Sequence, residues 1–90
     1  MLIARRYVIR GRVQGVGFRF FAEAAAMREG VHGWVRNRSD GTVEAWLEGD
    51  AEAVERVEAA LRRGPAGARV DDVAVAEVAP TGRPTGFSIR

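Results

Sequence analysis

The sequence predicts an α+β fold in which one antiparallel sheet carries two helices on one face. Three observations lead there: four segments with an apolar period of two, two intervening segments with a helical period, and the order strand, helix, strand, strand, helix, strand. Ninety residues suffice for one two-layer core. A domain of that size buries roughly 60 to 65% of its extended-chain surface, so the expectation is a single domain over residues 1–90.

The first strand is read at Arg6 to Val13, where Tyr7, Ile9, Gly11 and Val13 alternate with Arg6, Val8, Arg10 and Arg12. From Phe18 the period lengthens. Phe18, Phe21, Ala22 and Ala25 fall at helical spacing, Phe20, Ala24 and Met27 widen the apolar stripe, and Gly30 is a stop. Val31 to Asn37 and Thr42 to Glu48 give the second and third strands, with Val31, Gly33, Val35 and Val43, Ala45, Leu47 on the core face. Ser39-Asp40-Gly41 suits a three-residue hairpin of a type I turn followed by a left-handed glycine. That hairpin pairs Arg38 with Thr42, and so sets Asn37 opposite Val43 and Trp34 opposite Trp46, two indoles that would shield the sheet as a cross-strand pair.

Asp50 caps the second helix, with Glu52 at its positive end and Val54, Val57 and Leu61 as its stripe, flanked by Ala53 and Ala60; Gly64-Pro65 ends it. Val70 to Val78 is the fourth strand. After a turn region from Pro80 to Gly86, Phe87-Ser88-Ile89 is a short pairing segment, an optional fifth strand. Two right-handed βαβ units in this order make a ferredoxin-like βαββαβ sandwich, whose second sheet face is partly open.

Composition removes several chemistries. There is no cysteine, hence no disulfide, thiolate or cysteine zinc site, and no lysine, hence neither a Schiff base nor a Walker-type phosphate lysine. His32 is the one histidine and reads as a surface strand residue, while Ser39 and Ser88 lie in no nucleophile pattern. No apolar run approaches the ~20 residues of a membrane span, and the N-terminus lacks the apolar region of a signal peptide, so the expected location is cytoplasmic. A net charge of +2 favours small anions over nucleic acid.

The informative stretch is Gly11-Arg12-Val13-Gln14-Gly15-Val16-Gly17-Phe18-Arg19. Three glycines let the backbone approach a ligand closely, the following helix offers free N–H groups and the positive end of its dipole, and Arg19 adds a planar fork of charged donors. A phosphoryl group is the ligand these features suit, encircled by the amides of Gly15 through Arg19 and held by the Arg19 guanidinium. Asn37, where the second strand meets its hairpin, is a second candidate. Its amide can hold a water in two directions, although asparagine before a turn commonly caps backbone instead.

These residues carry a resemblance. Gly11 to Arg19 is similar to the acylphosphatase pattern G-x-V-Q-G-V-x-[FY]-R, and Gly33-Trp34-Val35-Arg36-Asn37 with Gly41-Thr42-Val43 and Gly49 is similar to that family's second pattern. The resemblance implies a small acylphosphatase, which hydrolyses carboxyl-phosphate anhydrides to a carboxylate and inorganic phosphate without metal or cofactor. It implies that Arg19 binds the phosphoryl group, that Gln14 to Phe18 form its cradle, and that Asn37 orients the attacking water. Small acyl phosphates and inorganic phosphate are then the partners, with no nucleic acid, no membrane and a monomeric chain.

Two other readings stand beside this one. A phosphate-binding regulatory module would use the same loop without rapid turnover. An RNA-binding domain of the same fold would use the open sheet face, but the third strand lacks the RNP1 pattern and carries Glu44 and Glu48. The charges of the second helix read as a solvated face with Glu52–Arg56 and Glu58–Arg62 pairs. Arg10, Arg12, Arg36 and Arg38 flank the motifs and serve either solubility or steering of anions.

Overall fold

The computed structural model describes residues 1–90. Its elements are β1 (Leu2–Arg12), α1 (Phe18–Glu29), β2 (His32–Asn37), β3 (Val43–Asp50), α2 (Ala51–Arg63), β4 (Arg69–Val78) and β5 (Phe87–Ile89). The predicted order holds, and the ferredoxin-like sandwich with it. The first strand is longer than its alternation showed. Leu2 to Arg5 pair with Asp50 to Leu47, so the edge of the core reaches back nearly to the N-terminus.

The sheet order is β4-β1-β3-β2-β5, and every pairing is antiparallel except β2 with β5. The expectation of a purely antiparallel sheet is therefore corrected: β5 runs parallel to β2. The cause is the chain's path. β4 ends at one edge of the sheet and β5 begins at the other, so residues 79–86 cross roughly 19 Å, four strand spacings, before the chain turns up beside β2.

Both helices cover one face. The core unites Tyr7, Ile9 and Val13 of the first strand and its exit with Phe18, Ala22 and Ala25 of α1, Val35, Val43 and Leu47 of the sheet, and Val54, Val57 and Leu61 of α2. The side chain of Asp50 accepts from Glu52 N–H and caps α2 as its sequence requires. The hairpin register is the predicted one, with Trp34 opposite Trp46 and Asn37 opposite Val43.

Two side-chain expectations need correction. Phe20 and Met27 do not extend the buried stripe of α1; they are 69% and 67% exposed, because alanines and Phe18 already fill the narrow space beneath that helix. Trp34 and Trp46 are the expected cross-strand neighbours on the open face, and Trp34 also lies beneath Arg90 and Arg36. Glu58 is not a solvated helix charge. It is partly buried, accepts from Tyr7 Oη at 2.8 Å and pairs with Arg5 and Arg62, whereas Arg56 reaches Glu29 rather than Glu52.

Candidate active site

The parallel strands β1 and β2 flank β3, and both end on the same side of the sheet. Ile9, Val43 and Asn37 form one row across three strands, about 4.8 Å apart from strand to strand. Ile9 and Val43 point to the helix face, so Asn37 points there too. The loop from Val13 to Gly17 leaves β1 just beyond this row and enters α1.

The loop's conformation follows from two glycines. Gly15 (φ 74°) and Gly17 (φ 76°) are both left-handed, with Val16 between them, and a Cβ on either would meet nothing within 4 Å. Space does not demand glycine at these positions; the backbone angle does. Alternation of this kind turns successive N–H groups toward one side, a concavity suited to anions. None of the amides from Gln14 through Phe20 donates a hydrogen bond within the protein; the first to do so is Phe21 N–H, to Gly17 C=O at 3.0 Å. The start of α1 also lacks a side-chain cap and an acidic residue in its first turn, so nothing in the chain neutralises that positive end.

Phe18 explains why the loop stays put. Its ring is 2% exposed in the core while its N–H belongs to the loop, and Val16 packs partly against the same core. Gly11 has a different task from the other two glycines of the motif. It sits within β1 at a register shift against β4, where a Cβ would collide with the carbonyl oxygen of Arg69.

Arg19 is half-buried and belongs to no ion pair. Most other arginines near a carboxylate are paired: Arg6 and Arg36 both hold Glu44 at 2.6 Å. Burial pushes the Glu44 carboxyl up, but the two guanidiniums outweigh it and hold the group below its ordinary range. Arg19 has no such neighbour and keeps its five donors for a ligand. Exposed Arg10 and Arg12 lead into the loop without partners of their own.

Asn37 does not cap its hairpin. Its Oδ1 is buried without a hydrogen-bond partner, and the turn is closed by other groups. Arg38 N–H donates to Thr42 C=O, Gly41 N–H to Arg38 C=O, and Thr42 gives both its hydroxyl (2.6 Å) and its N–H (3.0 Å) to Asp40 Oδ1. Those two bonds from Thr42 hold the Asp40 carboxyl below the usual carboxylate range. A buried amide oxygen left unpaired costs about 1 to 3 kcal/mol, and such groups collect where a site awaits a ligand or a water.

Gln14 joins the two halves. Its Nε2 donates to Arg38 C=O at 2.7 Å and to Thr42 C=O at 2.9 Å, both at the base of the hairpin that begins at Asn37. The side chain is therefore spent on the hairpin, and only its backbone amide remains for a phosphoryl group. This tie was not visible in the sequence, where glutamine in a glycine-rich loop reads as one more donor to the ligand. Arg19 and Asn37 share no hydrogen bond; the loop, α1 and the Gln14 tie bring their elements together. His32 lies at the opposite end of β2, where its Nδ1 accepts from Gly86 N–H at 2.8 Å.

The chain is similar to known proteins in sequence and in fold. The family model described as acylphosphatase matches residues 5–89. An acylphosphatase of a Roseiflexus species is 50% identical over 90 residues, covering 99% of this chain and 97% of that protein. One from Pyrobaculum aerophilum is 60% identical over 77 residues, covering 83% and 81%. The crystal structure of acylphosphatase from Bacillus subtilis superposes with a TM-score of 0.93 at 39% identity, covering 100% of this chain and 99% of that one.

Proposed function

The chain belongs to the acylphosphatase family, and on that premise we propose how its residues divide the work of the reaction. The activity is that of the family: an acid-anhydride hydrolase that splits a carboxyl-phosphate bond into a carboxylate and inorganic phosphate. In our reading the amides of Gln14 to Phe18 and the guanidinium of Arg19 hold the phosphoryl oxygens, and the Asn37 amide orients the attacking water.

The observation that carries this reading is the uninterrupted run of N–H groups from Gln14 to Phe20 without partners in the protein, with the unpaired Arg19 inside it. A phosphoryl group supplies the acceptors that run lacks. Each charge-assisted hydrogen bond contributes roughly 1.5 to 3 kcal/mol and the helix end about 0.3 to 1, so the converging amides and Arg19 dominate binding. These donors are fixed before the substrate arrives, and they stabilise charge that grows on the equatorial oxygens as the P–O bond breaks.

Water held by Asn37 attacks phosphorus in line with the departing carboxylate. A carboxylate leaves readily and needs little help from an acid, which suits a loop with no histidine, cysteine or carboxylate among residues 11–19. A phosphoryl oxygen of the substrate takes the water's proton as the new bond forms. The reaction needs positioning and charge stabilisation, and no metal or cofactor enters it.

We extend the same reading to the setting: a single domain over residues 1–90, acting as a monomer in the cytoplasm on small acyl phosphates, without nucleic acid or membrane. In support, no helix is long and apolar enough to cross a membrane, and the open sheet face carries Glu44 and Glu48.

Acetyl phosphate hydrolysis, measured with and without chelator, is the test. Arg19→Ala is expected to lose phosphate inhibition and turnover together, and Asn37→Ala to lower kcat more than phosphate affinity. Wild-type kinetics in Arg19→Ala, or loss of activity on chelation, would overturn the proposal. Phosphate binding without turnover in the native protein would favour the regulatory module.

A further inference from the structure

The largest concavity of the molecule, about 390 Å³, lies on the sheet face opposite the helices and at the end opposite the phosphate loop. Its floor is built from the cross-strand neighbours Trp34 and Trp46, the two hydrophobic residues of its lining. Its outer wall is the crossing segment 79–86. That segment is fixed at both ends: the Glu48 carboxylate accepts from the N–H and hydroxyl of Thr81 and from Gly82 N–H, and His32 Nδ1 accepts from Gly86 N–H. The cleft is thus formed in advance, with a volume in the range of small-molecule sites.

Its side chains carry two guanidiniums against one carboxylate. Glu48 is the one carboxylate side chain lining the cleft, and it is 3% exposed with its oxygens occupied by the crossing segment. Arg83 and Arg90 line the opening and pair with no carboxylate side chain; Arg90 rests over the Trp34 ring at 4.8 Å from its centroid. A cation–π contact at an exposed site holds a guanidinium weakly, about 0.5 to 1 kcal/mol, and leaves its N–H donors free. Indole surfaces with two uncommitted guanidiniums recognise a flat ring that carries negative charge.

We propose that this cleft is a second ligand site, separate from the phosphate loop, for a small aromatic anion whose ring lies against the indoles and whose charged group is held by Arg83 and Arg90. A mononucleotide and an aryl carboxylate share that chemistry. The site has no part in hydrolysis, since neither a residue of the loop nor one from Asn37 to Thr42 lines it.

The chain has two tryptophans, and both lie in the cleft, so intrinsic fluorescence reads this site alone. Adenosine monophosphate and benzoate are titrated separately, with adenosine and inorganic phosphate as the probes that lack the charge and the ring. The expected result is saturable quenching by at least one of the two aromatic anions, which identifies the source. Adenosine should bind at least tenfold more weakly than the monophosphate if the nucleotide is that source, and inorganic phosphate should leave the emission unchanged. The exposed pair Arg83→Ala/Arg90→Ala should weaken the aromatic anion at least tenfold while acetyl phosphate hydrolysis stays at the native rate. Arg19→Ala should retain the quenching. No saturable quenching by either anion, equal affinity for adenosine and its monophosphate, or loss of the quenching in Arg19→Ala would overturn the proposal.

Discussion

Replacing Gln14 with methionine keeps the length and packing of the side chain but removes its two donors, and the structure fixes what that costs. Both acceptors keep another partner: Thr42 C=O still receives Arg38 N–H at 2.9 Å, and Arg38 C=O still receives Gly41 N–H at 3.2 Å. No carbonyl is orphaned, so the loss is two neutral hydrogen bonds, about 1 to 3 kcal/mol in stability. For a domain of this size that is a fall of roughly 4 to 24 °C in Tm.

The effect on turnover should be separable. The amides of the loop and Arg19 are untouched, so inhibition by inorganic phosphate should change less than threefold. The hairpin bearing Asn37 loses its tether, however, and a misplacement near 1 Å can cost on the order of 100-fold. We expect kcat for acetyl phosphate to fall roughly 10- to 100-fold, about 1.4 kcal/mol per decade. If phosphate affinity falls as far as kcat, Gln14 acts on the phosphoryl group itself; if kcat is unchanged, the tie carries no catalytic positioning. Either result rules out Gln14 as the tie that positions Asn37.

Three other outcomes follow from the same structure. Gly17→Ala should cost about 1 to 2 kcal/mol through its left-handed backbone and should weaken phosphate binding, whereas Gly11→Ala, colliding with Arg69, should destabilise the fold more while sparing phosphate affinity in the folded fraction; thermal melts with phosphate inhibition compare them. Burial raises the carboxyls of Glu44, Glu48 and Glu58, but their hydrogen bonds outweigh it and hold each below the ordinary 4.5. Folded values below unfolded ones stabilise the protein above that pH and lose their effect as pH falls through the depressed values, so the urea midpoint should drop below about pH 4.5; a flat midpoint down to about pH 3 contradicts this. Tyr7→Phe removes a buried bond to the Glu58 carboxylate and should cost about 2 kcal/mol by urea melt with kcat unchanged; a loss of kcat in the folded enzyme would show that the core network reaches the site.

Local rules made most of the fold legible. The period of two in Tyr7, Ile9 and Val13, the cap at Asp50 and the three-residue turn at Ser39 to Gly41 each depend on neighbours in sequence, and the register from Trp34 to Asn37 followed from turn length alone. The parallel seating of β5 was not legible, because Phe87 to Ile89 are too few to signal a partner and the far edge is chosen by the long crossing before them. Phe20 and Met27 misled because an apolar residue beside a stripe of alanines exceeds the space left there. In the candidate site, the glycines and Arg19 announced an anion, and Asn37 stood out only beside them. The Gln14 tie spans 24 and 28 residues, and no spacing rule carries that information.

The phosphoryl group is expected to lie in the run of amides that begins at Gln14. Amide chemical shifts of the protein, followed as inorganic phosphate is added, test it directly. The prediction is saturating shifts at Gln14 to Phe20, at the Arg19 guanidinium and at the Asn37 side-chain amide, with the Trp34 and Trp46 indoles unmoved. Unmoved loop amides in a protein that still hydrolyses acetyl phosphate, or saturating shifts centred on the indole cleft, would contradict it.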